Sequence, residues 1–234
     1  MISLWSSLLI AATLAGTPVP NTQRSRSAIT RVQPQLETKL KSLGINWGSP
    51  LFVRIFKETK ELEVWLQKDK AFVHFKTYPI CDFSGELGPK LQQGDSQSPE
   101  GFYFVSPNRM NPASSFHLSF NLGYPNKYER ARGRTGDFLM VHGDCVSIGC
   151  YAMTDPQIEE IFALATAALE KGQPYFRVHS FPFRMTKERM AKSKGSKWHD
   201  FWKNLKEGYD SFEHTKIPPN VEVSQNRYVF NTPK

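Results

Sequence analysis

The stretch LFVRIFKETKELEVWLQKDKAFVHFKTYPI, residues 51–80, decides the fold class. Leu51 to Phe56 is rich in β-branched and aromatic side chains and reads as a strand. Glu58-Thr59-Lys60 turns the chain. Leu62, Val64 and Leu66 then alternate along a second strand, Lys68-Asp69-Lys70 turns it again, and Ala71, Val73 and Phe75 carry the alternation on toward Ile80. Three strands joined by short polar turns are an antiparallel meander. Downstream, residues 82–101 carry Ser84, Gly85, Gly88, Pro89, Gly94, Ser98, Pro99 and Gly101. A loop system this long inside a compact domain is usually functional. Strands are expected again at Phe102–Val105, at Phe116–Leu122 with His117 on it, at Phe138–Val141 and at Phe176–Phe181. The clearest helix runs from about Pro156 to Lys171, with Thr154 or Asp155 as cap and Gly172 as stop. The last third reads as helical around Trp198 to Leu205 and strand-like at Tyr228–Phe230. Upstream, residues 21–35 read as a linker and Pro34 to Leu43 as a short helix.

With 234 residues, 39% hydrophobic residues and five Trp, the chain suits one sizeable globular core. Its net charge of +8 favours polyanions, among them nucleic acid, anionic lipid or an acidic wall polymer. The charges are scattered, and the densest stretch, Lys187 to Lys197, holds no nucleic-acid motif and reads as a solvated helix face with a loop. No nucleic-acid partner is expected. At the N-terminus, a short apolar stretch ending in Leu14-Ala15-Gly16-Thr17 fits an export signal over residues 1–17, although it has no Lys or Arg ahead of it. A retained N-terminal anchor is the alternative. Three cysteines cannot all pair within one chain; in an exported protein the expected internal pair is Cys81 with Cys145, leaving Cys150 free.

The chemistry concentrates in His142-Gly143-Asp144-Cys145-Val146-Ser147-Ile148-Gly149-Cys150. A thiol attacks an acyl carbon as thiolate, so it needs a base or a positive environment. His142 stands at the end of an apolar strand, and Cys150 lies just before the helix start, near its positive dipole end. Gly149 permits a sharp turn that exposes the amides of Gly149 and Cys150 as oxyanion donors. Rival readings stand beside this one. A buried Cys and a structural His need no function. Cys145 is a second candidate nucleophile. His142, Cys145 and Cys150 are three soft zinc ligands, wanting a fourth from Cys81, His74, His117 or His179, but paired zinc spacing is absent and no metal or cofactor is expected. Asp144 orients His142 or simply makes a turn, and Ser147 orients the loop or is a plain turn residue.

Val141-His142-Gly143 followed by Ser147-Ile148-Gly149-Cys150 resembles the signature of the L,D-transpeptidase catalytic domain, also called YkuD. The resemblance is closest to its YafK-like murein branch. It extends through Ser84-Gly85-Glu86-Leu87-Gly88-Pro89-Lys90, Gln93-Gly94-Asp95, Ser98-Pro99-Glu100-Gly101-Phe102-Tyr103, Pro182-Phe183-Arg184-Met185-Thr186 and Phe201-Trp202. It covers roughly residues 48–230, and so many ordered blocks are far more specific than one short motif. It implies an α+β, mainly β sandwich with added helices: a catalytic domain over residues 48–185, a linker and short helix over 18–47, and a C-terminal appendage over 186–234.

The resemblance also implies a cysteine enzyme acting on meso-diaminopimelate stem peptides of peptidoglycan, in cell-wall remodelling and cell shape. Cys150 takes the nucleophile position, His142 the base position, and Ser98, Pro99 and Gly101 the wall of the cleft. Arg184 is a candidate for a substrate carboxylate or for a structural ion pair. Three departures stand out: Ile148 where the family has His, Ala152 where it has Arg, and a short gap from His142 to Ser147. They are typical of the branch and put the acyl acceptor in question. Hydrolysis of the bond between peptidoglycan and an outer-membrane lipoprotein, with the same Cys and His, is the alternative activity. An inactive wall-binding module is a third. The expected location is the periplasm.

Overall fold

The computed structural model describes residues 17–231; the expected export signal lies almost wholly outside them. In chain order the elements are α1 (Gln23–Ser42), β1 (Leu51–Phe56), β2 (Glu61–Lys68), β3 (Ala71–Pro79), β4 (Asp82–Phe83), β5 (Gly101–Val105), β6 (Met110–Asn111) and β7 (Ser119–Asn121). There follow α2 (Lys127–Ala131), β8 (Met140–His142), β9 (Tyr151–Ala152), α3 (Asp155–Glu170), β10 (Phe176–Phe181), α4 (Lys187–Lys192), α5 (His199–Thr215), β11 (Asn220–Ser224) and β12 (Arg227–Asn231). One five-stranded sheet has the order β3-β2-β1-β10-β5, and a second has β4-β9-β8-β7-β6. The expected meander is β1-β2-β3, antiparallel throughout. β10 enters beside β1 in parallel, a long-range pairing that no local pattern announces.

The two sheets meet face to face. Phe120 of β7 meets Phe176 of β10 edge-on at 5.3 Å, and the Tyr151 hydroxyl of β9 lies 2.8 Å from that of Ser180 in β10. α3 runs through the same core and is buried nearly all round, including Ile158, Ile161, Phe162 and Ala165. The Gln157 side chain accepts the Thr154 N–H at its start, and Gly172, at φ +102°, lies just past its end. A helix apolar on all sides belongs in a core, not on a surface.

Two expectations need correction. Residues 21–35 are not a linker: α1 is one helix from Gln23. Thr22 and Ser25 cap it reciprocally, and Ala28, Leu36 and Leu40 are buried, with Val32 half-buried, at four-residue spacing against α3. Pro34 sits inside the helix on its exposed side, where it breaks the apolar pattern without breaking the helix. The strand expected at Phe116–Leu122 shrinks to Ser119–Asn121, because His117 takes a left-handed turn at φ +63°. The C-terminal appendage packs on the catalytic domain. α5 covers the back of the first sheet, so β1 is buried on both faces: Val53 and Ile55 face the main core, while Phe52 packs on Phe212.

Candidate active site

β8 and β9 pair in parallel, with Val141 opposite Tyr151 and His142 opposite Ala152. This pairing places Cys150, the residue before β9, beside the strand that ends in His142. Between them the chain must reverse tightly, and Asp144 and Cys145 both adopt left-handed conformations to do so, at φ +68° and +54°. Cys145 is disulfide-bonded to Cys81 with a Cα–Cα separation of 5.3 Å, which ties this turn to the end of β3. Cys150 is the free cysteine. The expected pairing is therefore present, and it removes Cys145 both as nucleophile and as a zinc thiolate. Among the described residues no cluster of His, Cys, Asp and Glu has the form of a metal site.

His142 is buried, and its Nδ1 lies 2.6 Å from the Gly143 carbonyl oxygen. A carbonyl only accepts, so Nδ1 carries the proton and Nε2 is left as the basic nitrogen. The Phe116 ring lies against the imidazole at 4.7 Å, tilted by 32°. Burial lowers the His142 pKa below its ordinary value, with the Gly143 carbonyl and Asp144 pulling the other way. Burial pushes the Cys150 thiol up, opposed by the Met140 amide and the charge of Lys90. The resting pair is thus neutral imidazole and neutral thiol. The Sγ accepts the Met140 N–H at 3.4 Å and faces the Phe138 carbonyl at 3.6 Å; it is not hydrogen-bonded to His142 in this state.

The backbone of Cys150 is fixed from behind. Its carbonyl accepts the hydroxyls of Ser147 and Ser98, both at 2.9 Å. The Gly149 N–H donates to Ser84 at 3.0 Å and to Ser147 at 3.2 Å. This corrects one oxyanion assignment: the Gly149 amide is spent inward, while the Cys150 amide has no partner among the described residues and remains the available donor. Ser147 is a hub of the loop, not a plain turn residue. Gly149 sits at φ +122°, a conformation that side chains rarely adopt, so it turns the chain as the sequence required.

Ser98, Pro99 and Gly101 do not wall the cleft. All three are buried, the Pro99 carbonyl is taken by the hydroxyls of Tyr151 and Ser180, and Ser98 supports Cys150 from the rear. Arg184 is occupied by Glu61 and Glu63, both at 2.8 Å, so it is the structural ion pair of the two readings. His117 has a partner that its sequence context did not reveal, Glu159 at 2.8 Å, which Arg31 of α1 also holds. Asp144 is exposed and its backbone N–H bonds Asp155; the Gly143 carbonyl, not Asp144, orients the imidazole.

Several contributors went unread in the sequence. Ser84 stands within a block that was recognised but carried no role for it. Phe116 gave no signal at all. Lys57 is fully buried and donates to the carbonyls of Glu86, Gly88 and Ser98 and to Glu100, at 2.7 to 3.1 Å. Glu100 also accepts the Gly88 N–H and the Trp202 indole N–H. One buried ion pair thereby pins the Gly/Pro-rich loop that carries Ser84 and Ser98.

Residues 52–179 match the model of the YkuD family, described as the L,D-transpeptidase catalytic domain. The protein named "Putative L,D-transpeptidase YafK" from Escherichia coli strain K12 is 46% identical over 209 residues, covering 89% of this chain and 82% of that protein, and its counterpart from Escherichia coli O157:H7 matches equally. Among solved structures, the helical cell shape determining protein Pgp2 of Campylobacter jejuni aligns over 80% of this chain and 79% of its own, at 18% identity and a TM-score of 0.46. Bd1075 of Bdellovibrio bacteriovorus aligns over 70% and 58%, at 19% identity and a TM-score of 0.40. With the family model matched over more than half its length and a relative 46% identical along most of it, the chain belongs to the YkuD family of L,D-transpeptidase catalytic domains.

Proposed function

We propose that this chain is a cysteine acyl-transfer enzyme acting on the meso-diaminopimelate-containing stem peptides of peptidoglycan, in the periplasm. The observation that supports the reading is the parallel β8–β9 pairing, which brings the free Cys150 next to Met140 on the strand that ends in His142, whose Nε2 is left basic by the Gly143 carbonyl. The Cys81–Cys145 disulfide supports an oxidising compartment.

The reaction follows from the neutral pair. With substrate seated, Nε2 takes the thiol proton as Sγ attacks the peptide carbonyl at the L-centre of diaminopimelate. The Cys150 amide faces the developing oxyanion. The C–N bond breaks, and the imidazolium returns its proton to the departing amine, leaving a thioester on Cys150. An acceptor amine or water attacks that thioester, His142 takes the incoming proton, and the thiolate leaves.

Cleavage of a peptidoglycan–lipoprotein bond is a second reading, favoured by the rim of the site. Ile148, Phe138 and Val146 are 88%, 68% and 52% exposed, and Phe116 lies over His142 with an open face. Such a rim suits an apolar polypeptide better than a polar stem peptide. Sacculi with and without bound lipoprotein separate the readings: new crosslinks mark transfer, and released lipoprotein marks hydrolysis. Intact-mass analysis is expected to show a thioester adduct on the native chain and none on Cys150→Ala. Full turnover by Cys150→Ala would refute both readings, whereas sacculus binding unaffected by Cys150→Ala, with no turnover by the native chain, would leave a wall-binding module.

A further inference from the structure

Along β10, side chains alternate between the faces of the first sheet. Ser180 points toward Tyr151 and the second sheet. His179 points the other way, between the edges of Phe52 and Phe102, each ring centroid 4.7 Å from its own. On that side, remote from Cys150, a cavity of about 480 Å³ opens between the β5–β10 edge and the β11–β12 hairpin. Its lining is mainly apolar and aromatic, with Phe102, Phe104, Tyr175 and Tyr228 prominent. His179 also lines it; the side chain is 99% buried and neither ring nitrogen has a hydrogen-bond partner. Buried imidazoles are ordinarily satisfied, so two orphan nitrogens on a side chain in the cavity wall mark a missing partner.

We propose that this cavity binds the glycan backbone of peptidoglycan, a chain of N-acetylated amino sugars, at a subsite separate from the acyl-transfer centre. The identity of the polymer rests on the proposed function; the sugar chemistry rests on the lining. A pyranose ring presents an apolar C–H face with hydroxyl and acetamido groups at its margin. Phe104 and Tyr175 lie 5.4 Å apart, tilted by 59°, at the accessible sheet edge; Arg109 and Arg177 lie over these rings, whose remaining exposed surface offers the apolar partner. One imidazole nitrogen donates and the other accepts, which matches a hydroxyl.

The rim sorts the remaining polar groups. Asn126 is spent: its oxygen caps α2 and its amide bonds the Phe102 carbonyl and the Tyr228 hydroxyl. The amide nitrogen of Asn220, the Glu222 carboxylate and the Lys127 ammonium line the cavity without a partner among the described residues. A mixed rim of amide, acid and cation suits hydroxyl, acetamido and carboxylate groups together. Arg177 also lines the cavity and donates to the Asn220 side-chain oxygen. An acyl chain would leave the imidazole and this rim unpaired.

The test uses the full chain carrying Cys150→Ala, titrated by calorimetry with soluble glycan oligosaccharides freed of peptide by an amidase, and in parallel with free stem peptide. The parent is expected to bind the peptide-free glycan. Phe104→Ala/Tyr175→Ala and, separately, His179→Leu are expected to weaken that binding at least tenfold. His179→Leu should do so without lowering the melting temperature, because it removes unpaired polar atoms from an apolar site. In the background with Cys150 intact, iodoacetamide labelling of Cys150 should proceed at the unaltered rate in both variants. No glycan binding by the parent, or parental affinity in either variant, overturns the subsite. Thioester formation without glycan binding would retain the proposed reaction and remove this inference; glycan binding here without thioester formation would do the reverse.

Discussion

Cys150 and His142, the proposed nucleophile and base, carry opposite shifts with one cause. Burial disfavours charge on both, raising the thiol and lowering the imidazole. The consequence is a specific pH profile. Labelling by iodoacetamide tracks the thiolate, so its rate should climb through neutral pH and level off only above the ordinary thiol value of about 8.5. A plateau reached by pH 6 would instead reveal a preformed thiolate–imidazolium pair. Acylation should lose rate on the acid side only below the ordinary imidazole value of about 6.5, because His142 stays neutral and basic down to there. Catalytic residues in such sites often tighten their contacts only around substrate, which accords with the resting thiol facing Met140 and Phe138.

The site loop is held by two devices, one ionic and one covalent. Lys57 and Glu100 are both fully buried and fully hydrogen-bonded, so removing one leaves the other charge stranded. Lys57→Met is therefore expected to cost about 3–5 kcal/mol in denaturant unfolding. It should also slow Cys150 acylation, since the loop bearing Ser84 and Ser98 loses its anchor. Lys57→Met/Glu100→Gln should regain part of the stability, because no lone charge remains. A cost within error of zero for the single substitution would show that the pair is not a fastener. The disulfide closes a sequence separation of 64 residues, for which loop-closure entropy gives roughly 4 kcal/mol. Cys81→Ser/Cys145→Ser should lower the unfolding free energy by no more than that, and the turn at Asp144–Cys145 should label or proteolyse faster.

Across the whole molecule, the C-terminal third is part of the core. α5 and the β11–β12 hairpin cover Phe52, Phe56, Phe102 and Phe181, and Arg54, buried beneath α5, pairs with Glu63 of β2 and Glu213 of α5. A chain ending at Thr186 would expose that whole face and the Arg54–Glu63 pair to water. It is expected to aggregate or to elute as expanded oligomers in size-exclusion chromatography, whereas the full chain remains compact. A soluble, cooperatively melting truncation would show that the first sheet needs only one covered face.

The local code carried the meander, α3 with its Thr154 start and Gly172 stop, and the candidate chemistry at Cys150 and His142. Strand alternation, helix capping and a free cysteine after a glycine are short-range signals that adjacent residues write together. Placing β10 between β1, to which it is parallel, and β5, to which it is antiparallel, joins segments far apart in the chain, and no periodicity encodes such partners. The same holds for each residue the sequence misassigned. Ser98, Pro99 and Arg184 were recognisable as parts of family blocks, but whether a side chain faces a cleft or a core depends on what packs behind it. The sequence determined which groups could act. The tertiary structure decided which amide near Cys150 is left unpaired, which nitrogen of His142 is basic, and that a buried lysine just past β1 holds the loop bearing Ser84 and Ser98, because hydrogen bonds are exclusive and burial is a property of the assembled chain.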